Sequence, residues 1–278
     1  MSNKANCRLA WNSVADGKSI SATSYAGNML PDNLLNNQIQ SKWRSTTTAQ
    51  QILSGNLGEL LPVGYFCFYA HNLSPTSTIR FVLSINADYS NPSIDQTFNG
   101  LEPTYGLGEL LGLYLGGYSL ETFFTKYTVQ WFTQVFGQYW KVIITDPDNT
   151  DGYIQAGRLK FGEYFEGFYN MSWGYASDIK TNSKVVISES LARYVRKRAQ
   201  QRTFSIDFSY LNELEEQTII NMISQIDIKN DILFSAYPLL GTSQENLHTA
   251  LCFMESWKPR SRVSVPFRTW GLNLVESV

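Results

Sequence analysis

Tyr153–Tyr175, YIQAGRLKFGEYFEGFYNMSWGY, is the stretch on which the reading of the fold turns. Ile154, Leu159 and Phe161 are apolar strand formers set beside Gly157 and Gly162. Aromatics then follow in quick succession at Tyr164, Phe165, Phe168 and Tyr169. Aromatic side chains carry the largest burial per residue. A strand that ends on Gly162 and runs into such a series therefore reads as the closing strand of one unit and a seam onto the next. An ordinary strand pair inside one large domain is the other reading. The rhythm on either side favours the seam. Before it the chain is rich in aromatics and strand formers; after it come strand, basic cluster, strand, helix and strands.

The totals bound the class. A chain of 278 residues has length enough for two cores. Its 43% hydrophobic and 17% charged residues are globular composition, and 14% aromatics points to β structure and to interfaces. A net charge of −2, with no strong excess in either half, gives no electrostatic case for binding nucleic acid. Cys7, Cys67 and Cys252 show no CxxC spacing and read as reduced thiols, not a disulfide framework. The start, MSNKANCRLAWN, lacks an apolar core of signal-peptide length, and no run approaches the roughly 18 apolar residues of a membrane helix. The expectation is a protein made in a cytoplasm, with no membrane insertion.

Taken in order, residues 21–45 are polar and turn-rich, with Pro31-Asp32-Asn33 as turn chemistry, Leu34, Leu35 and Ile39 as anchors, and Trp43 closing the loop. Residues 62–73, PVGYFCFYAHNL, are a nearly unbroken apolar strand, expected to be buried on both faces. Thr78–Ala87 alternates, with Ile79, Phe81, Leu83 and Ile85 on one face. Residues 100–120 hold a partial GxGxxG at Gly106 and Gly108, with Leu111 where the third glycine belongs; a loop insertion fits better than a phosphate cradle. Tyr127–Phe136 and Trp140–Thr145 read as two strands of a hairpin joined at Gly137-Gln138. Asp146–Asp151, DPDNTD, reads as a solvated turn, since it lacks the glycine and distal glutamate of a calcium loop.

Asn36–Ser45 (NNQIQSKWRS), Tyr69–Ser84 (YAHNLSPTSTIRFVLS) and Tyr139–Gly162 (YWKVIITDPDNTDGYIQAGRLKFG) together resemble the galactose-binding-like jelly roll, the discoidin and coagulation-factor C-type family with its carbohydrate-binding relatives. The resemblance covers most of residues 8–162, and 95–125 departs from it as an insertion. It implies sugar bound by loops at one end, where an exposed aromatic stacks on a pyranose and polar groups take the hydroxyls. Trp43 and Arg44 end the long polar loop, and His71 and Asn72 end a strand. If neighbours, these four form a stacking platform with donors. The alternative is that Trp43 plugs the core.

Beyond Val185 the rhythm changes. Arg193, Arg196, Lys197, Arg198 and Arg202 place five cations in ten residues, with Tyr194 the single aromatic among them. Such a cluster reads as a solvated loop or an acidic partner's docking site before a nucleic-acid groove, which needs interleaved aromatics. In Thr203–Phe208, Phe204, Ile206 and Phe208 share a face. Asn212 and Glu215 have capping-box spacing, and Leu211, Leu214, Thr218, Ile219, Met222, Ile223 and Ile226 follow helical periodicity, with Leu214, Ile219 and Met222 expected in the core. Leu251–Met254, Arg262–Phe267 and Trp270–Val275 read as strands; Val263 and Val265 share a face with Phe267, and a bulge is expected near Thr269. The order R…RTFSIDF, LNELEEQTIINMI, LCFMESW, FRTWGLNLVES resembles tailed-phage tail-tip and minor tail proteins, including distal-tail-type barrels, over about 185–278. That resemblance implies ring assembly around a tail axis and no catalytic residue.

Histidine, on which catalytic and metal chemistry usually leans, occurs only at His71 and His248. His71 reads as a strand-end hydrogen-bonding residue and His248 as solvated. GxSxG, HExxH and P-loop motifs are missing. Glu102, Glu109, Asp146 and Asp148 are the carboxylates a glycosidase would draw on.

The sequence thus predicts a mainly β protein. Residues 1–165 form a β-sandwich jelly roll, and 166–278 a β-barrel-like domain with a helix near 211–226. No catalytic residue, metal or cofactor is expected. The expected ligand residues are Trp43, Arg44, His71 and Asn72, and the expected partner surface is Arg193, Arg196, Lys197, Arg198 and Arg202. Expected partners are further copies in a ring of three or six, other tail proteins, and a host-surface glycan, in a virion tail. A stand-alone oligomeric lectin and a glycoside hydrolase are the alternatives.

Overall fold

A computed structural model of the chain describes residues 5–100, 126–172, 174–187, 193–196, 198–226, 230–238, 245, 247–262 and 267–278. Glu102, Gly106, Gly108, Glu109, Lys197, Val263 and Val265 lie outside the described residues. The protein is mainly β, with sandwich-like sheets and one α-helix among the described residues. It divides into two compact units, one of Asn12–Tyr164 with Gly241–Ser243 and one of Met1–Trp11, Phe165–Leu240 and Gln244–Val278. The division after Tyr164 falls inside the stretch that opened the sequence reading. The start of the chain departs from the expected 1–165 boundary. Strand β1 (Arg8–Ala10) pairs with β10 (Phe165–Glu166) and β15 (Asp231–Ser235), so it is a strand of the second unit.

The first unit is organised by two 19-residue strands, β4 (Gln51–Tyr69) and β7 (Tyr127–Thr145). They pair antiparallel from Gln51↔Ile144 to Tyr69↔Tyr127, with register shifts at Asn56/Leu61 and Val63/Tyr65. Such irregularities bend strands, which lets one strand serve two sets of neighbours. The first part of β4 pairs with β2 (Ile20–Ala22), and its last part pairs with β9 (Arg158–Gly162). The last part of β7 pairs with β5 (Thr78–Ser84), and β5 with β6 (Ile94–Asn99). A short pair, β3 (Trp43–Arg44) with β8 (Gln155–Ala156), stands apart. Trp43, Phe66, Phe81, Trp140 and Phe161 fill the core, with Leu34 and Leu35 of the 3-10 helix Pro31–Leu35. Tyr65–Tyr69 are buried on both faces, as the unbroken apolar run requires.

Two expectations fail here for physical reasons. Gly137 is not a hairpin turn: β7 runs straight through it, paired with Leu61. A Cβ at Gly137 would collide with the Leu83 side chain, so this glycine provides close approach between strands, not a reversal. Ile85 lies past the end of β5 and is exposed, while Ile79, Phe81 and Leu83 are fully buried.

The second unit is a seven-stranded sheet in the order β10-β1-β15-β16-β17-β14-β11. Its remaining strands are β11 (Ala176–Thr181), β14 (Gln200–Leu211), β16 (Thr249–Arg262) and β17 (Arg268–Glu276). Phe204, Ile206 and Phe208 stand opposite Leu274, Leu272 and Trp270, so the alternation of both strands builds one apolar face. The bulge expected near Thr269 appears as the register shift between Phe208 and Leu211. Helix α1 (Glu213–Ile226) covers this face with Ile219, Met222 and Ile226. Its start is a reciprocal capping box: Glu215 N–H donates to Asn212 Oδ1 (2.9 Å), and Asn212 N–H donates to Glu215 Oε2 (2.8 Å). Leu214, expected in the core, is 75% exposed, because the buried stripe begins a turn later.

Truncating Ile219 to alanine should lower unfolding stability by about 2–5 kcal/mol, and Leu214→Ala should change it by less than about 0.5 kcal/mol. Urea titration followed by circular dichroism measures both; equal costs would refute the assigned helix face. Gly137→Ala should cost about 1–3 kcal/mol through overpacking against Leu83, read by the same titration, and a hairpin-turn role would instead leave core stability untouched.

Candidate functional site

The predicted loop residues do converge in the first unit. Arg44 donates Nε–H and Nη2–H to Gln155 Oε1 (3.1 and 2.8 Å), and its guanidinium lies 4.0 Å from the centre of the Tyr153 ring. Asn72 reaches the same segment. Its Nδ2 donates to Asp151 Oδ2 (2.8 Å) and to the Tyr153 carbonyl (3.0 Å), and its Oδ1 accepts from Gln155 N–H (2.8 Å). The two ends proposed as neighbours are joined through Tyr153 and Gln155.

Their roles differ from expectation. Trp43 is completely buried, and its Nε1–H donates to the Ser24 carbonyl (3.1 Å). It offers no face to a sugar and is the core plug. Asn72 spends its whole side-chain amide on the loop, so it is a fastener, not a free ligand group. His71 is buried against Phe68 at 5.6 Å. Leu73 N–H donates to its Nδ1 (3.3 Å), which makes Nε2 the protonated nitrogen and the donor to Thr128 Oγ1 (3.1 Å). Thr128 passes its own hydroxyl proton to the Gly100 carbonyl. This closed chain leaves His71 nothing to give a ligand. Burial, with Lys126 adding repulsion, brings its pKa down from 6.5 to about 3.

Asp146 and Asp148 also prove structural. Asp146 is fully buried; Oδ2 accepts from Ser74 N–H (3.0 Å) and Asn149 Nδ2 (2.9 Å), and Oδ1 accepts from the Ser74 hydroxyl. Asp148 Oδ2 accepts from Thr76 Oγ1 (2.7 Å). These bonds sew the 146–155 loop to the 71–77 loop and hold Asn72 in place. Among the described residues no group of three or more His, Cys, Asp and Glu could hold a metal ion.

What remains on the surface is Arg44, Tyr153 and Asp151. Among the described residues Arg44 Nη1 makes no protein hydrogen bond, so it is available to a ligand oxygen. Ala26 N–H donates to the Arg44 carbonyl (2.9 Å), and Arg44 N–H to that of Met29 (3.4 Å); this loop carries half-exposed Tyr25. A cation lying on an aromatic ring, with a carboxylate on the same loop, can take vicinal hydroxyls and the apolar face of a sugar ring. Tyr153, Asp151 and Tyr25 were missed in the sequence. The pairing of Arg44 with Gln155 was carried by no local motif, only by strand pairing 111 residues apart.

In the second unit, Arg202 is a correction. It is 2% exposed and clasps Glu276 through Nη2–Oε1 (2.6 Å) and Nε–Oε2 (2.9 Å), with Nη1 donating to the Leu247 carbonyl (3.1 Å). It is structural and not a partner residue. Arg193, Arg196 and Arg198 are exposed. His248, expected in solvent, is half-buried and bonded through Nδ1 to the Tyr175 hydroxyl (2.8 Å), beside a cavity of about 380 Å³ lined by Tyr175, Tyr237 and Met171. Burial lowers the His248 pKa and raises that of Tyr175. Cys7, Cys67 and Cys252 are buried outside disulfides, and burial pushes the Cys7 thiol up to about 12. No helix among the described residues is long and apolar enough to cross a membrane.

No protein-family model matches the sequence, and no curated protein matches it. Solved structures do. CBM32-3 from a family 31 glycoside hydrolase from Clostridium perfringens is 18% identical, with 55% of this chain and 95% of that one covered at a TM-score of 0.40. A mutant domain of Lectinolysin complexed with Lewis b is 17% identical over 56% and 99% of the two chains, TM-score 0.39. A Streptococcus pneumoniae fucose binding module is 13% identical over 55% and 95%, TM-score 0.38.

His71 generates a pH prediction. Folding holds it neutral down to about pH 3, whereas the unfolded chain protonates it below about 6.5. Stability should therefore be full above pH 6.5 and fall as pH drops toward 3, by up to about 1.4 kcal/mol per pH unit from this group. Urea unfolding across this range should show a steeper decline in the wild type than in His71→Gln. Parallel pH profiles would contradict the buried, neutral assignment.

Proposed function

We propose that this chain is a non-catalytic structural component of a tailed-phage tail tip, assembling through its second unit and binding carbohydrate through the loop end of its first. The observation that carries the binding role is the Arg44 guanidinium lying on Tyr153, with Nη1 available and Asp151 alongside. A planar cation held by Gln155 at 2.8 Å is ordered before any ligand arrives, which reduces the entropy cost of capture. The element order of residues 185–278, from RTFSIDF through the capped helix to FRTWGLNLVES, supports the tail assignment. Arg44 acts as the donor to sugar hydroxyls, Asp151 as the acceptor, and Tyr153 with Tyr25 as the apolar walls.

Screening the purified chain on a broad glycan panel tests the binding role. Arg44→Ala should weaken binding of the best glycan by at least about tenfold, with the melting temperature nearly unchanged. Asn72→Ala should instead lower the melting temperature, because it cuts the bonds that shape the loop. A wild type that binds no glycan, or an Arg44→Ala chain that binds as the wild type does, overturns the assignment. Antibody labelling of intact particles in electron micrographs tests the location; label absent from every tail would count against it.

A further inference from the structure

The cavity of about 380 Å³ beside Tyr175 lies wholly within the second unit, and no role argued so far uses it. Asn170, Met171, Ser172, Gly174 and Tyr175 line it from the connection between β10 and β11, and Tyr237 lines it from just past β15. The hairpin of β12 (Lys184–Ile187) and β13 (Arg193–Arg196), which pair only with each other, supplies no wall. Met171 and Tyr175 pack on the core with one side and stay half-exposed on the other. The Tyr237 ring meets the Tyr175 ring at 87° with centres 6.4 Å apart, and Tyr237 is 37% exposed. The two rings make a right-angled corner.

The corner is held before any ligand arrives. Tyr175 is fixed through its hydroxyl to His248 Nδ1, and its ring lies parallel to that of Phe204. Ser172 N–H donates to the Asp207 carbonyl (2.6 Å), and the Ser172 hydroxyl meets that of Ser209 (2.5 Å). Gly174 turns the chain between them at φ 103°, a conformation that residues with a side chain resist. Asn170 Oδ1 accepts from the N–H groups of Cys7 and Met171 (both 2.9 Å). Two donors must face the oxygen, so the orientation of this amide is determined. Its Nδ2 has no partner among the described residues and presents both protons.

The chemistry of the walls selects the ligand. None of the lining side chains is charged, and nearby Arg202 is consumed by Glu276. A charged ligand would lose water here without gaining a counter-charge. A wholly apolar one would strand the Asn170 amide and the Tyr237 hydroxyl. A neutral pyranose meets both conditions, with its C–H face on a ring and its hydroxyls toward the amide. The volume is near the small end of the roughly 300–1,000 Å³ of ligand pockets, which suits a short saccharide.

We propose that the Tyr175–Tyr237 corner is a second binding site, for a neutral saccharide, with Tyr237 as the stacking ring and Asn170 Nδ2 as the donor to its hydroxyls. It shares no residue with the Arg44 rim and does not depend on it.

Isotope-labelled methionine methyl groups in the full chain report the two sites separately by NMR. Met171 lines the corner, whereas Met29 lies on the loop bonded to Arg44. Galactose, glucose, mannose and N-acetylglucosamine are titrated in turn. At least one should shift the Met171 resonance, in the wild type and in Arg44→Ala alike, while glucosamine and glucuronic acid should not. Tyr237→Ala and Asn170→Asp should each weaken that response at least about tenfold. The aspartate keeps the acceptor for Cys7 and Met171 and removes the donor, so its circular dichroism should match the wild type. A Met29 shift with a silent Met171 overturns this site and leaves the Arg44 reading standing. A Met171 shift that survives Tyr237→Ala, or that the charged sugars produce equally, overturns it as well. A Met171 shift with a silent Met29 upholds this site while the Arg44 reading fails, and silence at both overturns the two together.

Discussion

A guanidinium withdrawn from water must find its hydrogen bonds inside the protein, and the first unit is arranged around one that does. Arg158 is fully buried on β9. It grips Asp16 with both terminal nitrogens (2.8 and 2.7 Å) and donates to the Leu34 carbonyl (3.4 Å) and Asn37 Oδ1 (3.1 Å). One side chain thus ties β9 to the turn after Val14 and to the loop that leads into Trp43 and Arg44. The position of Arg44 is set from below by this anchor and from the side by Gln155. Arg158 itself is fully buried while the Asp16 side chain is 37% exposed, so the loss of Asp16 would leave a desolvated cation short of its partner. The second unit repeats the device: Arg202 on β14 clasps Glu276 on β17 and reaches the Leu247 carbonyl.

Those two arginines explain where sequence reading stopped. Charge is read as surface unless a partner is visible, and the partners of Arg158 and Arg202 lie 142 and 74 residues away. Arg202 was therefore grouped with Arg193, Arg196 and Arg198, although one residue of strand alternation separates a core position from a solvent one. Local chemistry was legible wherever the signal is local. The Asn212–Glu215 box, the alternation of Phe204, Ile206 and Phe208, and the double burial of Tyr65–Tyr69 follow from short spacings. Gly137 was misread because glycine serves both turns and close approaches, and only the position of Leu83 decides between them. At the loop end the juxtaposition of Arg44 with Asn72 was legible, but not which of the polar groups had already been spent on the fold.

His71 and Asn72 show why adjacency in sequence does not make a binding pair. The left-handed backbone of Ala70 (φ 57°) ends β4, a conformation that costs an alanine energy and persists only where its surroundings hold it. His71 then enters the buried chain through Thr128, and Asn72 turns to the 149–155 loop. Both residues do the same job, satisfying backbone groups where two loops meet a strand end. The chemistry left for a ligand is what this network does not consume.

Aromatic content is likewise no guide to burial until the fold divides it. In the first unit Trp43, Trp140, Phe66, Phe81 and Phe161 are inside, and Phe66, Phe81, Phe161 and Trp140 pack in succession at 4.9–5.3 Å. In the second unit the sheet face under α1 is already filled by Phe204, Phe208, Phe234 and Trp270. Phe168, Tyr169, Tyr210 and Tyr194 are therefore surplus to its own stability and stand in water. Apolar surface of this extent is costly to leave exposed, and Phe168, Tyr169 and Tyr210 gather it at the rim of the sheet beside the start of α1, where the helix does not cover it.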